Sequence, residues 1–221
     1  MRGTRTLRPM GTRPNAPAVL WLVGITCLPE VVFTLAGSGL IGAFGLRNWA
    51  VVHFAFWSGL LRGWEAIYPL QGMLMFVTYA LLHGGFLHLI GNMVAVLALG
   101  GIVVARIGQQ GFVILYVLTA IGGGAGYALL GSTDAPMVGA SGAVFGLVGA
   151  WKYWEWRDRR AARADMRPLW MSLLGLALLN VLLWLALAGL LAWEAHLGGF
   201  VVGWALAAFV TPSDRRQGSG R

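Results

Sequence analysis

"PLWMSLLGLALLNVLLWLALAGLL", residues 168–191, decides the fold. It carries no charged side chain, and only Ser172 and Asn180 interrupt it with hydrogen-bonding groups other than tryptophan. A helix that crosses a bilayer needs about 20 mostly apolar residues. A helix on a soluble core would show a polar face, and this stretch has none. It therefore reads as a membrane span. The whole chain agrees: 221 residues, 58% hydrophobic, 11% charged, with a mean hydropathy of +0.72. A soluble domain carries roughly 25% charged residues.

Working outward, five further apolar segments qualify or nearly do, at about 18–41, 86–105, 110–130, 139–156 and 194–211. The expected fold is thus an all-α membrane protein, a bundle of six transmembrane helices over residues 18–211. Residues 42–72 form a long first loop. Its central apolar run is short, is bracketed by Arg47 and Arg62, and is dense in Trp and Phe. That composition predicts helices in the membrane interface, with His53 an interfacial side chain. Residues 1–17 read as a short basic cytoplasmic tail and 212–221 as a disordered one. The single cysteine, Cys27, excludes an intrachain disulfide and a cysteine metal site.

The net charge of +8 is not a nucleic-acid signal, because no soluble segment interleaves basic residues with stacking aromatics. It fits the positive-inside rule. With the N-terminus in the cytoplasm, six spans put Arg2, Arg5, Arg8, Arg13, Arg106, Lys152, Arg157, Arg159, Arg160, Arg163, Arg167, Arg215, Arg216 and Arg221 inside. Only Arg47 and Arg62 fall outside. An odd number of spans would strand one basic terminus on the wrong side.

Polar groups inside spans are costly and mark function. They are Glu30, His88, Asn92, Ser141, Asn180 and His196, with His83 just before the second span. At 1.5 Å per residue, Ser141 stands about 17 Å above Lys152, and Asn92 and His88 about 21 and 27 Å above Arg106. His196 stands about 24 Å above Pro212. In a hydrocarbon core about 30 Å thick, these four share the outer half. Asn180 is left without a named partner, as interhelical glue. Glu30 is either protonated or paired with Arg62.

His88 and Asn92 share a helix face at i, i+4. Ser141 opens a small-residue stripe through Gly142, Phe145, Gly146 and Gly149, and His196 shares a face with Gly199 and Gly203. Small-residue stripes let helices approach closely, which would bring the hydroxyl to the imidazole. A serine beside a histidine base is an activated nucleophile. His88 and Asn92 could hold an oxyanion, with Gly139 and Gly142 freeing the turn that exposes backbone N–H groups. A serine in a span often only bonds back to its own helix; matched depth and matched glycine faces argue for more.

Three strings carry a family resemblance: "HGGFLHLIGNM" (83–93), "GASGAVFG" (139–146) and "AHLGGFVVG" (195–203). In this order and on these spans they resemble the rhomboid intramembrane serine proteases. The resemblance covers about residues 18–211. It implies Ser141 as nucleophile and His196 as general base of a Ser–His dyad. It further implies His88, Asn92 and the backbone around Gly139 as oxyanion and substrate contacts, and His83 in a supporting role. Gly142, Gly146, Gly199 and Gly203 would be supporting residues. It implies no metal or cofactor, transmembrane protein substrates cut near the outer face at small residues, and the fifth span with its following loop as substrate gate. The expected location is a bacterial inner membrane, with the lipid bilayer as partner and no nucleic acid. The family's adjacent Trp-Arg pair is absent from the first loop, which has Arg62 and Trp64 instead. A pseudoprotease that binds transmembrane clients without cutting them is the alternative. A transporter would show internal repeats, and none is visible.

Overall fold

The computed structural model describes residues 11–13, 16–131 and 133–210. The terminal readings for residues 1–10 and 211–221 lie outside these, the C-terminal tail and most of the basic N-terminal one among them. The described residues form seven α-helices: α1 (Pro17–Gly37), α2 (Leu46–Phe54), α3 (Gln71–Thr78), α4 (Phe86–Leu130), α5 (Ser141–Ala162), α6 (Arg167–Ala186) and α7 (Trp193–Phe209). Short 3-10 turns at Ser58–Arg62 and Tyr79–Leu81 complete the connection from α1 to α4. There is no β-strand among these residues, only an isolated antiparallel bridge between Phe56 and Met137.

Helix ends follow local chemistry. Pro17 sits in the first turn of α1, where its missing N–H costs nothing. At the start of α6 the Asp165 carboxylate accepts from the Arg167 N–H at 2.9 Å, satisfying a donor the helix cannot. That helix ends where Ala188 and Gly189 take positive φ. Within α4, Gly108 adopts φ 77°, ψ 175°, and the chain turns there, so that α4 is two arms. The first arm corresponds to the 86–105 segment and the second to 110–130.

Three helices, α1, α4 and α6, are long and apolar enough to cross a membrane. Their outward faces carry exposed side chains such as Trp21, Leu28, Leu87, Val94, Leu178 and Leu182. An apolar exterior of this extent is that of a membrane protein. Helix α5 outruns its expected end at 156, and its tail is aromatic and basic. Lys152, from which the height of Ser141 is counted, is buried. It donates to Glu155 at 2.9 Å and lies 3.8 Å from the centre of the Trp151 ring. Helix α6 ends five residues before the expected 191.

The core lies between α4, α5 and α7, around Trp154, Phe112, Leu147 and Val96. Helix α1 packs on the first arm of α4, with Val19 filling the space a Cβ at Gly100 would need. Helix α6 is peripheral, and Leu169 is its one buried residue. The first loop caps the end of the bundle where α5 begins. Its anchor is Arg47, which donates to both Glu30 oxygens at 2.7 Å and to the His83 carbonyl at 2.9 Å. Glu30, 2% exposed, is therefore paired with Arg47 and not with Arg62. The hydrogen bond to Glu30, with the charge of that carboxylate, raises the Arg47 pKa above its ordinary value against the opposing effect of burial. Arg62 instead meets Asp134 at 2.5 Å, tying the first loop to the loop before α5.

Candidate active site

Ser141 is the first residue of α5. The loop leading to it is fixed at three points. Phe56 and Met137 exchange backbone hydrogen bonds at 2.9 and 3.0 Å, the Gly139 N–H donates to the Tyr79 carbonyl at 3.0 Å, and the Ala140 N–H reaches His83 Nε2 at 3.4 Å. Gly139 has φ 128°, a region that side chains other than glycine rarely adopt. A Cβ there would also stand 2.6 Å from the His88 ring. The turn into the helix thus depends on Gly139. Gly142, already helical, does not free the turn. Its bare Cα faces the Tyr79 hydroxyl and Gly123.

The first N–H groups of a helix have no partner within it. Those of Ser141, Gly142 and Ala143 are engaged by no other group among the described residues. They form a small cluster of free donors beside the serine hydroxyl.

His196 lies in the first turn of α7. Its Nε2 is 2.9 Å from Ser141 Oγ. Along their glycine positions the two helices meet backbone to backbone. A Cβ on Gly199 would strike the Gly142 carbonyl, and one on Gly203 the Gly146 carbonyl. Gly149 likewise faces the Phe200 carbonyl, whereas the Cβ position of Gly146 points at Thr119 of α4. On the other side of α7, Gly198 abuts Gly122 and Gly126 of α4. Helix α7 is thereby wedged between α4 and α5, with His196 95% buried.

The structure brings His88 against Gly139, two residues from Ser141. Asn92, buried on the same face, donates one amide hydrogen to the His88 carbonyl at 3.0 Å. His83 lies edge-on to His88 at 5.1 Å between ring centres.

Two contacts were not read from the sequence. The Phe145 ring lies flat on His196, 4.2 Å between centres and 6° between planes. Its place four residues after Ser141, on the same helix face, was the available signal. Asn180, left above as glue without a partner, has its side-chain oxygen 2.8 Å from His196 Nδ1. Tyr79 gave no signal at all. It is buried and donates to the Ala120 carbonyl at 2.8 Å. Asn180, His196 and Phe145 line a mostly apolar cavity of about 620 Å³, together with Trp184 and Trp193. Among the described residues no three His, Cys, Asp or Glu side chains gather as a metal set.

A multi-helix membrane protein with a serine and a histidine hydrogen-bonded in its interior is the class this geometry defines. The family model of the Rhomboid domain matches residues 70–213, and the chain belongs to the rhomboid family. It is 43% identical over 70 residues to "RHOMBOID-like protein 5" of Arabidopsis thaliana, across 31% of this chain and 23% of that protein. It is 29% identical over 130 residues to "Putative rhomboid protease YdcA" of Bacillus subtilis (strain 168), across 58% of this chain and 64% of that one. The chain thus spans less than two thirds of the length of either relative.

Proposed function

We propose that the protein is an intramembrane serine endopeptidase. The observation that carries this reading is the 2.9 Å contact between Ser141 Oγ and His196 Nε2 at the mouth of α5. A serine is a weak nucleophile until a base can take its proton. Here His196 Nε2 accepts that proton as Oγ attacks the carbonyl carbon of a locally unwound substrate segment. The oxyanion that develops is held by the free N–H groups of the first turn of α5, with His88 and Asn92 as side-chain donors. His196 then returns the proton to the leaving amine, the C–N bond breaks, and an acyl-enzyme remains. Water, deprotonated by the same imidazole, resolves it to a carboxylic acid and free serine.

The substrate class is transmembrane segments of other proteins, cut near the outer face at small residues. This reading has six spans, α4 contributing two, both termini in the cytoplasm, and a bacterial inner membrane as location. Its supports are the family, the apolar exterior and the distribution of arginines. The second reading, a rhomboid-like protein that binds clients without cutting them, is decided by the same experiment. The purified protein is incubated in detergent with a transmembrane substrate whose juxtamembrane segment is rich in Ala and Gly, and in parallel with a fluorophosphonate. The parent is expected to cleave and to be labelled. Ser141→Ala and His196→Ala should each lose cleavage by orders of magnitude. Cleavage by Ser141→Ala at the parent rate ends the protease reading. Clients that co-purify with a parent that never cuts support the binding one.

A further inference from the structure

We propose that Asn180 is a positioning residue for the reaction: its side-chain oxygen holds His196 as the Nδ1–H tautomer, leaving Nε2 free to take the serine proton. The inference rests on the protease reading above.

A neutral imidazole carries one N–H and one acceptor nitrogen. If the hydrogen were on Nε2, that nitrogen would donate to Ser141 Oγ and could take nothing from it. The working tautomer therefore needs an acceptor at Nδ1. Burial leaves His196 5% exposed, so bulk water cannot serve reliably. The group within reach is Asn180 Oδ1, at 2.8 Å. A carboxamide oxygen only accepts, so this contact selects the productive tautomer. Phe145 fixes the plane of the ring by stacking on it, but a flat contact does not stop the ring from turning within that plane. Asn180 supplies the in-plane constraint. The arrangement has the logic of a triad whose third member is neutral.

The position of Asn180 adds a second element. It lies on α6, whose one buried residue, Leu169, is eleven positions away. That is about 16 Å along the helix axis. Among the described residues, the bond to His196 is the sole hydrogen bond from the α6 helix to another helix. It also lies in the wall of the 620 Å³ cavity between α6 and α7. Moving α6 away from α7 would remove the acceptor, so the tautomer of the base depends on where α6 stands.

The test compares the parent with Asn180→Leu, Asn180→Asp and Ser141→Ala, using the Ala/Gly-rich transmembrane substrate and the fluorophosphonate. For Asn180→Leu we expect kcat to fall about 10- to 100-fold with KM little changed, and serine labelling to slow in parallel. Asn180→Asp keeps an acceptor oxygen and should recover most of the loss. The tautomer is read directly by nitrogen NMR of histidine-labelled protein, since the chain has only four histidines and His196→Gln assigns the signal. The parent should show His196 protonated at Nδ1. Four outcomes overturn the proposal: Nε2 protonation in the parent, an unchanged kcat in Asn180→Leu, a loss confined to KM, or an Asp variant no better than Leu. The parent spectrum decides even if Asn180→Leu does not fold. Cleavage by Ser141→Ala would sink the protease reading itself. An inactive Ser141→Ala beside a fully active Asn180→Leu would sink only the positioning role.

Discussion

Phe145 shows how a single apolar side chain can act on chemistry it does not enter. Its ring covers one face of His196 at 4.2 Å. A stacked aromatic contact contributes about 0.5–1.5 kcal/mol beyond its buried area. Phe145→Ala should therefore lower kcat about 2- to 12-fold at constant KM, and Phe145→Tyr should retain most of the rate. Steady-state cleavage of the transmembrane substrate measures both. At this scale the sequence was partly legible. The spacing of glycines and the depth count placed a serine, two histidines and an asparagine together. The same count from Arg167 puts Asn180 about 20 Å up, within a few ångströms of the His196 level. The partnership was open to that arithmetic. It was missed because one asparagine in an apolar run looks the same whether it glues helices or orients a base. Arg47 was missed as the partner of Glu30 for another reason: the pairing depends on how a loop folds back, and no periodicity encodes that.

Among the elements, α5 and α7 set the site, because their glycines let backbones touch. Adding one methyl at Gly203 forces the carbonyl of Gly146 away. Gly203→Ala should lower stability by about 1–3 kcal/mol, as overpacking does, and should slow fluorophosphonate labelling by separating Ser141 from His196. Gly175→Ala, on open helix surface in α6, is the matched control and should neither lower stability nor slow labelling. Thermal unfolding in detergent reads the first effect. The apolar segments were legible as helices because each is long and uncharged. Their ends were less so. Helix α5 runs on through Trp156 to Ala162, since its charged residues find partners: Arg159 bonds Glu155 at 2.8 Å, and Asp158 pairs with Arg106 of α4. The short helix α2 is held from outside: its Arg47 reaches Glu30 of α1, and the Tyr68 hydroxyl and Gln71 amide donate to its His53 and Val52 carbonyls at 2.7 and 3.1 Å.

For the whole molecule, the arginine distribution makes a topological statement that hydropathy alone does not. Cys27 is the single thiol, so a Cys27→Ser background permits clean labelling. In intact cells an impermeant maleimide should modify Asp134→Cys and should spare Ala164→Cys until the membrane is broken. Labelling of both from one side would rule out the six-span arrangement. One further feature constrains how this chain can vary. The bridge between Phe56 and Met137 clamps the backbone four residues ahead of Ser141, and the helix starts at Ser141 itself. A helix turns about 100° per residue. Inserting or deleting one residue between 137 and 141 would swing the hydroxyl about a quarter-turn off the imidazole. Outside Gly139 and Ser141, the segment should thus tolerate exchange of side chains, as at Val138, far better than any change in its length.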